Sequence, residues 1–96
     1  MEYEVNYLPH AKQDLIDILA YGIEVWGEEQ AEKMHIKITE QLDSLSFSPK
    51  RTKKKGRLGT REMQILDSPY KAIIKIDEKA KQVLIVRILH GTRKIA

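Results

Sequence analysis

Ninety-six residues, 42% of them hydrophobic and 32% charged, predict one ordinary globular domain spanning 1–96, since a second core would need roughly 50 more residues. The absence of cysteine excludes a disulfide framework and thiolate metal sites. The net charge of +3 hides an asymmetry: ten carboxylates against three lysines up to Pro49, then seven Lys or Arg among the twelve residues Lys50–Arg61. Such a split points the second half toward an anionic partner, although a solvated basic loop would look the same. An acidic start, Met1-Glu2-Tyr3-Glu4, and no apolar run of ~18 residues predict neither signal peptide nor membrane span, so a soluble cytoplasmic protein is expected.

In chain order, "EYEVNYL" alternates Tyr3, Val5 and Tyr7 with polar residues, the period of a half-buried strand. Pro9 suits the first turn of a helix, where its missing N–H costs nothing. Ala11, Leu15, Ile18, Gly22 and Val25 then form one stripe of an amphipathic helix that Gly27 should stop. Glu28 and Glu29 favour the positive end of a second helix. Its stripe is Ala31, Met34, His35, Ile38, Leu42 and Leu45, and Ser48-Pro49 should end it. After the basic loop, "TREMQIL", "YKAIIKID" and "QVLIVRILH" read as strands, separated by the turns "DSP" and "EKAK".

The expected fold is therefore α+β in the order β-α-α-β-β-β: a helical hairpin packed on one face of a mostly antiparallel four-stranded sheet. The last strand is apolar on both faces and should be central, with the first strand beside it. No third layer remains in the sequence to cover the other face, so apolar sheet surface there should await a partner.

Three histidines, His10, His35 and His90, have no ligand-like spacing, and neither a metal nor a cofactor is expected. His10 should be a surface residue, and His35 a partly buried imidazole beside the apolar stripe. His90 ends the expected central strand, followed by Gly91 and Arg93 and preceded by Arg87. Joined by Arg57, Arg61 and Lys71, these could form a cationic patch in which arginine binds phosphate and histidine serves as acid or base. Equally, His90 could cap the strand end and Arg87 could pair with a glutamate.

Over nearly its whole length the chain resembles the RelE/ParE superfamily of bacterial toxins from type II toxin–antitoxin modules. The likeness is carried, in order and spacing, by "YLPHAKQDLIDILAY", "WGEEQAEKMHIKITEQLDSL", "GTREM", "SPYKAIIKID" and "VRILHGTR". It implies a compact toxin neutralised by a cognate antitoxin whose flexible acidic and apolar tail wraps it. It also implies one of two actions, ParE-like poisoning of DNA gyrase or RelE-like cleavage of mRNA on the ribosome. Aligned on "SPYKAIIKID", the two lysines that RelE-like enzymes carry on the preceding strand fall on Glu62 and Gln64. Lys71 and Arg93 match two further basic positions, and no tyrosine follows Arg93. "GTRE" and "LHGTR" look closer to the ParE branch, which makes gyrase the expected target. In the alternative, an endoribonuclease, His90 would work among Arg61, Lys71, Arg87 and Arg93. Lys53, Lys54, Lys55 and Arg57 would contact the target or, through salt-sensitive pairs, the antitoxin, which should also bury apolar positions of the last strand and helix pair. A non-toxic binding module on the same fold is the third possibility.

Overall fold

The computed structural model describes residues 2–49, 52–54 and 59–91. Strand β1 (Glu4–Tyr7) leads into helices α1 (Pro9–Trp26) and α2 (Glu28–Asp43), and a 3-10 turn at Ser44–Ser46 closes the helical layer. Strands β2 (Lys53–Lys54), β3 (Arg61–Gln64), β4 (Tyr70–Asp77) and β5 (Gln82–His90) complete one sheet in the order β1-β5-β4-β3-β2. The four expected strands are present, with β1 parallel to β5 and β5, β4 and β3 a meander. The two-residue β2, inside the basic stretch, adds a fifth strand at the edge by pairing with Arg61 and Glu62.

Local chemistry sets these boundaries. Leu8 is extended and Pro9 occupies the first helical turn of α1, so the unpaired donors there include one position that has no N–H. Gly27, at φ 89°, ends α1 and starts α2 at once. That φ is cheap for glycine alone, and it makes the interhelical connection a single residue. Glu28 and Glu29 occupy the first turn of α2, where the helix dipole favours them. Where the sequence predicted helix through to Ser48-Pro49, α2 stops at Asp43, and Leu45 reaches the core from the 3-10 turn.

The core lies between helices and sheet. Ala11 of α1, Ile38 and Leu42 of α2, and Leu45 meet Ala72, Ile74, Val83, Ile85 and Ile88 of β4 and β5. The helices touch closely at Gly22, where an added Cβ would stand 3.1 Å from the Ala31 Cβ. Val25, expected on the buried stripe, is half exposed.

One irregularity fixes which side chains share a face. Ile73 pairs with Arg87 but Ile74 with Ile85, so Val86 is an extra residue in β5. This bulge changes the side-chain parity of β5. Ile88 therefore joins Val83 and Ile85 on the helix face, while Leu89 moves to the far face, the reverse of regular alternation. The far face is also less open than expected: Ile73 and Leu89, outside the main core cluster, are only 4% and 6% exposed.

Candidate functional site

The residues singled out in the sequence fall into separate neighbourhoods. On β3 and β4, cross-strand pairing puts Arg61 opposite Ile74 and therefore on the helix face. There its Nη1 donates to the Thr52 carbonyl at 3.0 Å, and the Thr52 hydroxyl in turn donates to the Pro49 carbonyl at 3.0 Å. Lys71 lies on the far face, opposite Leu89 and Gln64. Its ammonium stands 3.4 Å from the Glu62 carboxylate, diagonally across the strands, with the two side chains 18% and 27% exposed. Beside them the Gln64 amide donates to the carbonyls of Tyr70 and Ser68, at 2.9 and 3.2 Å. The centre of this face is thus an apolar floor of Ile73 and Leu89 next to a mutually neutralised ion pair.

Arg87 turns toward the helices instead. Its Nε and Nη2 donate to the two oxygens of Asp14, at 2.8 and 3.0 Å, and Asp14 Oδ2 also accepts from the Ile88 N–H at 2.8 Å. The pairing of β1 with β5 ends at Tyr7 and Ile85, so α1 supplies the acceptor that a neighbouring strand would have given. Those hydrogen bonds push the Arg87 pKa above its ordinary value, with burial acting against them. The partner is an aspartate on α1 rather than the glutamate considered from sequence. Asp14 was the residue that sequence reasoning passed over, and its signal was available: a carboxylate on the buried side of α1, between Ala11 and Leu15, requires a partner.

His90 ends β5 on the helix face, opposite Tyr70, and is exposed. Its ring meets the Tyr70 ring edge-on, with centroids 5.9 Å apart. Burial, and secondarily the nearby Tyr21, raise the Tyr70 phenol above its usual range. The Gly91 N–H donates to the Pro69 carbonyl. A Cβ at Gly91 would stand 3.0 Å from that carbonyl oxygen, so the glycine is there for close approach. His90 and Lys71 consequently lie on opposite faces, and Arg61, Lys71, Arg87 and His90 do not converge on one point. Lys55, Arg57 and Arg93 lie outside the described residues, and Lys53 and Lys54 form β2.

His10 is exposed and His35 partly buried. Among the described residues, no group of three His, Asp or Glu could hold a metal ion, and no helix is long and apolar enough to cross a membrane. Large exposed apolar side chains occur instead on the helices and loops: Ile16, Tyr21, Ile23, Val25, Trp26, Ile36, Phe47 and Leu66. None of these belongs to β5, where the sequence had placed part of the partner surface.

No curated protein sequence matches the chain. Solved structures do. The chromosomal ParDE toxin–antitoxin system of Pseudomonas aeruginosa includes a chain of TM-score 0.84 and 22% identity, the match covering 93% of this chain and 96% of that one. A chain of the RelBE2 toxin–antitoxin complex of Mycobacterium tuberculosis gives 0.72 at 22% identity, over 94% and 99%. One from the intact Escherichia coli RelBE complex gives 0.63 at 14%, over 95% and 99%. At these identities the likeness establishes the fold. The family model for the ParE toxin of the type II toxin–antitoxin system parDE matches residues 5–95, and the chain belongs to that family.

Proposed function

We propose that this toxin arrests bacterial growth by binding DNA gyrase and is held silent by a cognate antitoxin. The observation that carries the reading is the engagement of the cationic side chains that a nuclease would gather around a phosphate. Lys71 is paired with Glu62, Arg87 with Asp14, and Arg61 with a backbone carbonyl on the opposite face. A phosphate approaching Lys71 would meet the Glu62 carboxylate beside the ammonium, and repulsion at that range cancels most of the attraction. With its lysine already paired, this face suits contact with a protein better than with a phosphate. An antitoxin partner is supported by the ParDE and RelBE assemblies this chain resembles, and the basic segment with Lys53, Lys54, Lys55 and Arg57 is the complement of an acidic tail.

The test is supercoiling by purified gyrase in the presence of the toxin. Inhibition is expected, and it should survive His90→Ala, because the reading gives that imidazole no proton to transfer. The second reading, mRNA cleavage on the ribosome, draws on the exposed position of His90 at the end of β5. Ribosome-bound mRNA cut by the wild type and spared by His90→Ala, with supercoiling untouched, would replace the first reading by the second.

A further inference from the structure

The loop-end of the helical hairpin carries large apolar side chains that folding leaves in water. Tyr21, Ile23, Val25 and Trp26 are all exposed within six residues of α1, at 56, 42, 50 and 45%. The Tyr21 and Trp26 rings meet edge-to-face at 6.2 Å. Trp26 continues onto α2, where with Gln30 and Met34 it lines a shallow depression. The four side chains of α1 belong neither to the core cluster nor to the partly buried residues packed against it, and exposed apolar patches mark protein interaction sites.

Its electrostatics name the kind of occupant. Glu24, Glu28, Glu29 and Glu32 lie among these residues in the sequence, and all four are exposed. Lys33 is the one cation between Tyr21 and Met34 in the sequence, and Glu29 holds it at 3.6 Å. An acidic antitoxin tail would be repelled here, while Lys or Arg would find carboxylates at the rim and the Trp26 and Tyr21 faces for cation–π contact.

We propose that this end of the hairpin docks a basic segment of the target protein, one in which lysine or arginine flanks a large apolar side chain. The inference rests on the toxin reading only in assigning the segment to the target. It places the target and the antitoxin on surfaces of opposite charge.

Trp26 is the chain's single tryptophan, so intrinsic fluorescence reports on the patch directly. The full chain is titrated with a short peptide alternating lysine and leucine, and with its glutamate–leucine counterpart. The basic peptide should shift Trp26 emission in a saturable way, and binding should weaken about tenfold between low and physiological salt. The triple variant Glu24→Gln, Glu28→Gln, Glu32→Gln should lose most of that affinity while keeping the wild-type circular dichroism, since all three side chains are exposed. Equal response to the acidic peptide, full affinity in the triple variant, or an unmoved emission would each overturn the proposal. So would an emission shift on raising protein concentration alone, which would make a second copy the occupant. Peptide binding with gyrase unaffected would remove gyrase and keep the surface; loss of peptide binding removes the surface whatever gyrase does.

Discussion

Asp14 stands on the side of α1 turned to the sheet, its side chain 12% exposed, where an ionised carboxylate is costly unless its oxygens are satisfied. Three donors satisfy them, two from Arg87 and one from the Ile88 backbone. Asp14→Ala would strand that N–H and leave the guanidinium without its partner, a loss of about 2–3 kcal/mol for hydrogen bonds to a charged group. Asp14→Asn keeps the shape and one acceptor, so urea denaturation should place it between Ala and wild type. Equal stability of all three would mean that solvent replaces the clamp.

Tyr7 gives a pH dependence whose sign is fixed. Burial first, then the charge of Asp43 and the 3.0 Å hydrogen bond donated to it, raise the phenol above its ordinary 10.0. The unfolded chain then loses this proton near pH 10 while the folded chain still holds it. Stability from this group is complete below pH 10 and falls as pH rises toward the folded-state value, by up to about 1.4 kcal/mol per pH unit. Tyr7→Phe should be the less stable protein at neutral pH and show a flatter decline above pH 10. Some slope will persist, because Tyr3 and Tyr70 are also raised, Tyr3 chiefly by its hydrogen bond to Glu78 and Tyr70 chiefly by burial. Denaturation midpoints from pH 8 to 11 measure both effects.

Among the elements, the helical hairpin depends on one close contact. Gly22 lets α1 approach α2 so that an added Cβ would lie 3.1 Å from the Ala31 Cβ and 3.5 Å from the Trp26 ring. Gly22→Ala gains roughly 1 kcal/mol of helix propensity, and the crowding, at about 1–3 kcal/mol, offsets or exceeds it. Because the crowding arises between two methyl groups, Gly22→Ala with Ala31→Gly should be more stable than the two single changes predict by addition. A double-mutant cycle of unfolding free energies reads that coupling, and additivity would show that the helices simply slide apart.

Gly22 also shows how far the sequence could be read. Its place on the stripe with Ala11 was evident from spacing, and so were the hairpin, the meander and the return of β1 beside β5. Periodicity cannot reveal the bulge at Val86, because "VLIVRIL" is apolar on either alternation apart from Arg87, and one polar residue does not mark a change of parity. Without the bulge, the face on which Leu89 lies does not follow from the strand pattern. Among the described residues the candidate cationic site does not assemble, for a different reason. Nearness in sequence placed Arg87 beside His90, but strand pairing sends Arg61 and Lys71 to opposite faces.

Across the whole molecule, the strand at one end of the chain completes the sheet made by the other. Val5 aligns with Val83 and Tyr7 with Ile85 in the parallel ladder, and the Leu8 N–H donates to the Ile85 carbonyl. β1 is also tied to the helical layer, since the Tyr3 N–H donates to the Ser46 carbonyl and the Tyr7 hydroxyl to Asp43. Removing residues 1–7 would therefore do more than shorten an edge. It would bare the β5 edge from Gln82 to Ile85 and withdraw Tyr3, Val5 and Tyr7 from the core, all partly buried against it. At about 1.5–3 kcal/mol for each side chain if fully buried, the three together approach a domain's whole stability of roughly 5–15 kcal/mol. An apolar strand with an open edge is also a template for pairing between molecules. The truncated chain should accordingly lose its cooperative thermal transition and elute as aggregate, whereas Tyr3→Phe, which deletes only an exposed hydroxyl bonded to Glu78, should stay monomeric and fold. A monomeric, cooperatively folding truncation would show instead that the helices and the β3–β5 meander form a complete core, with β1 an added edge.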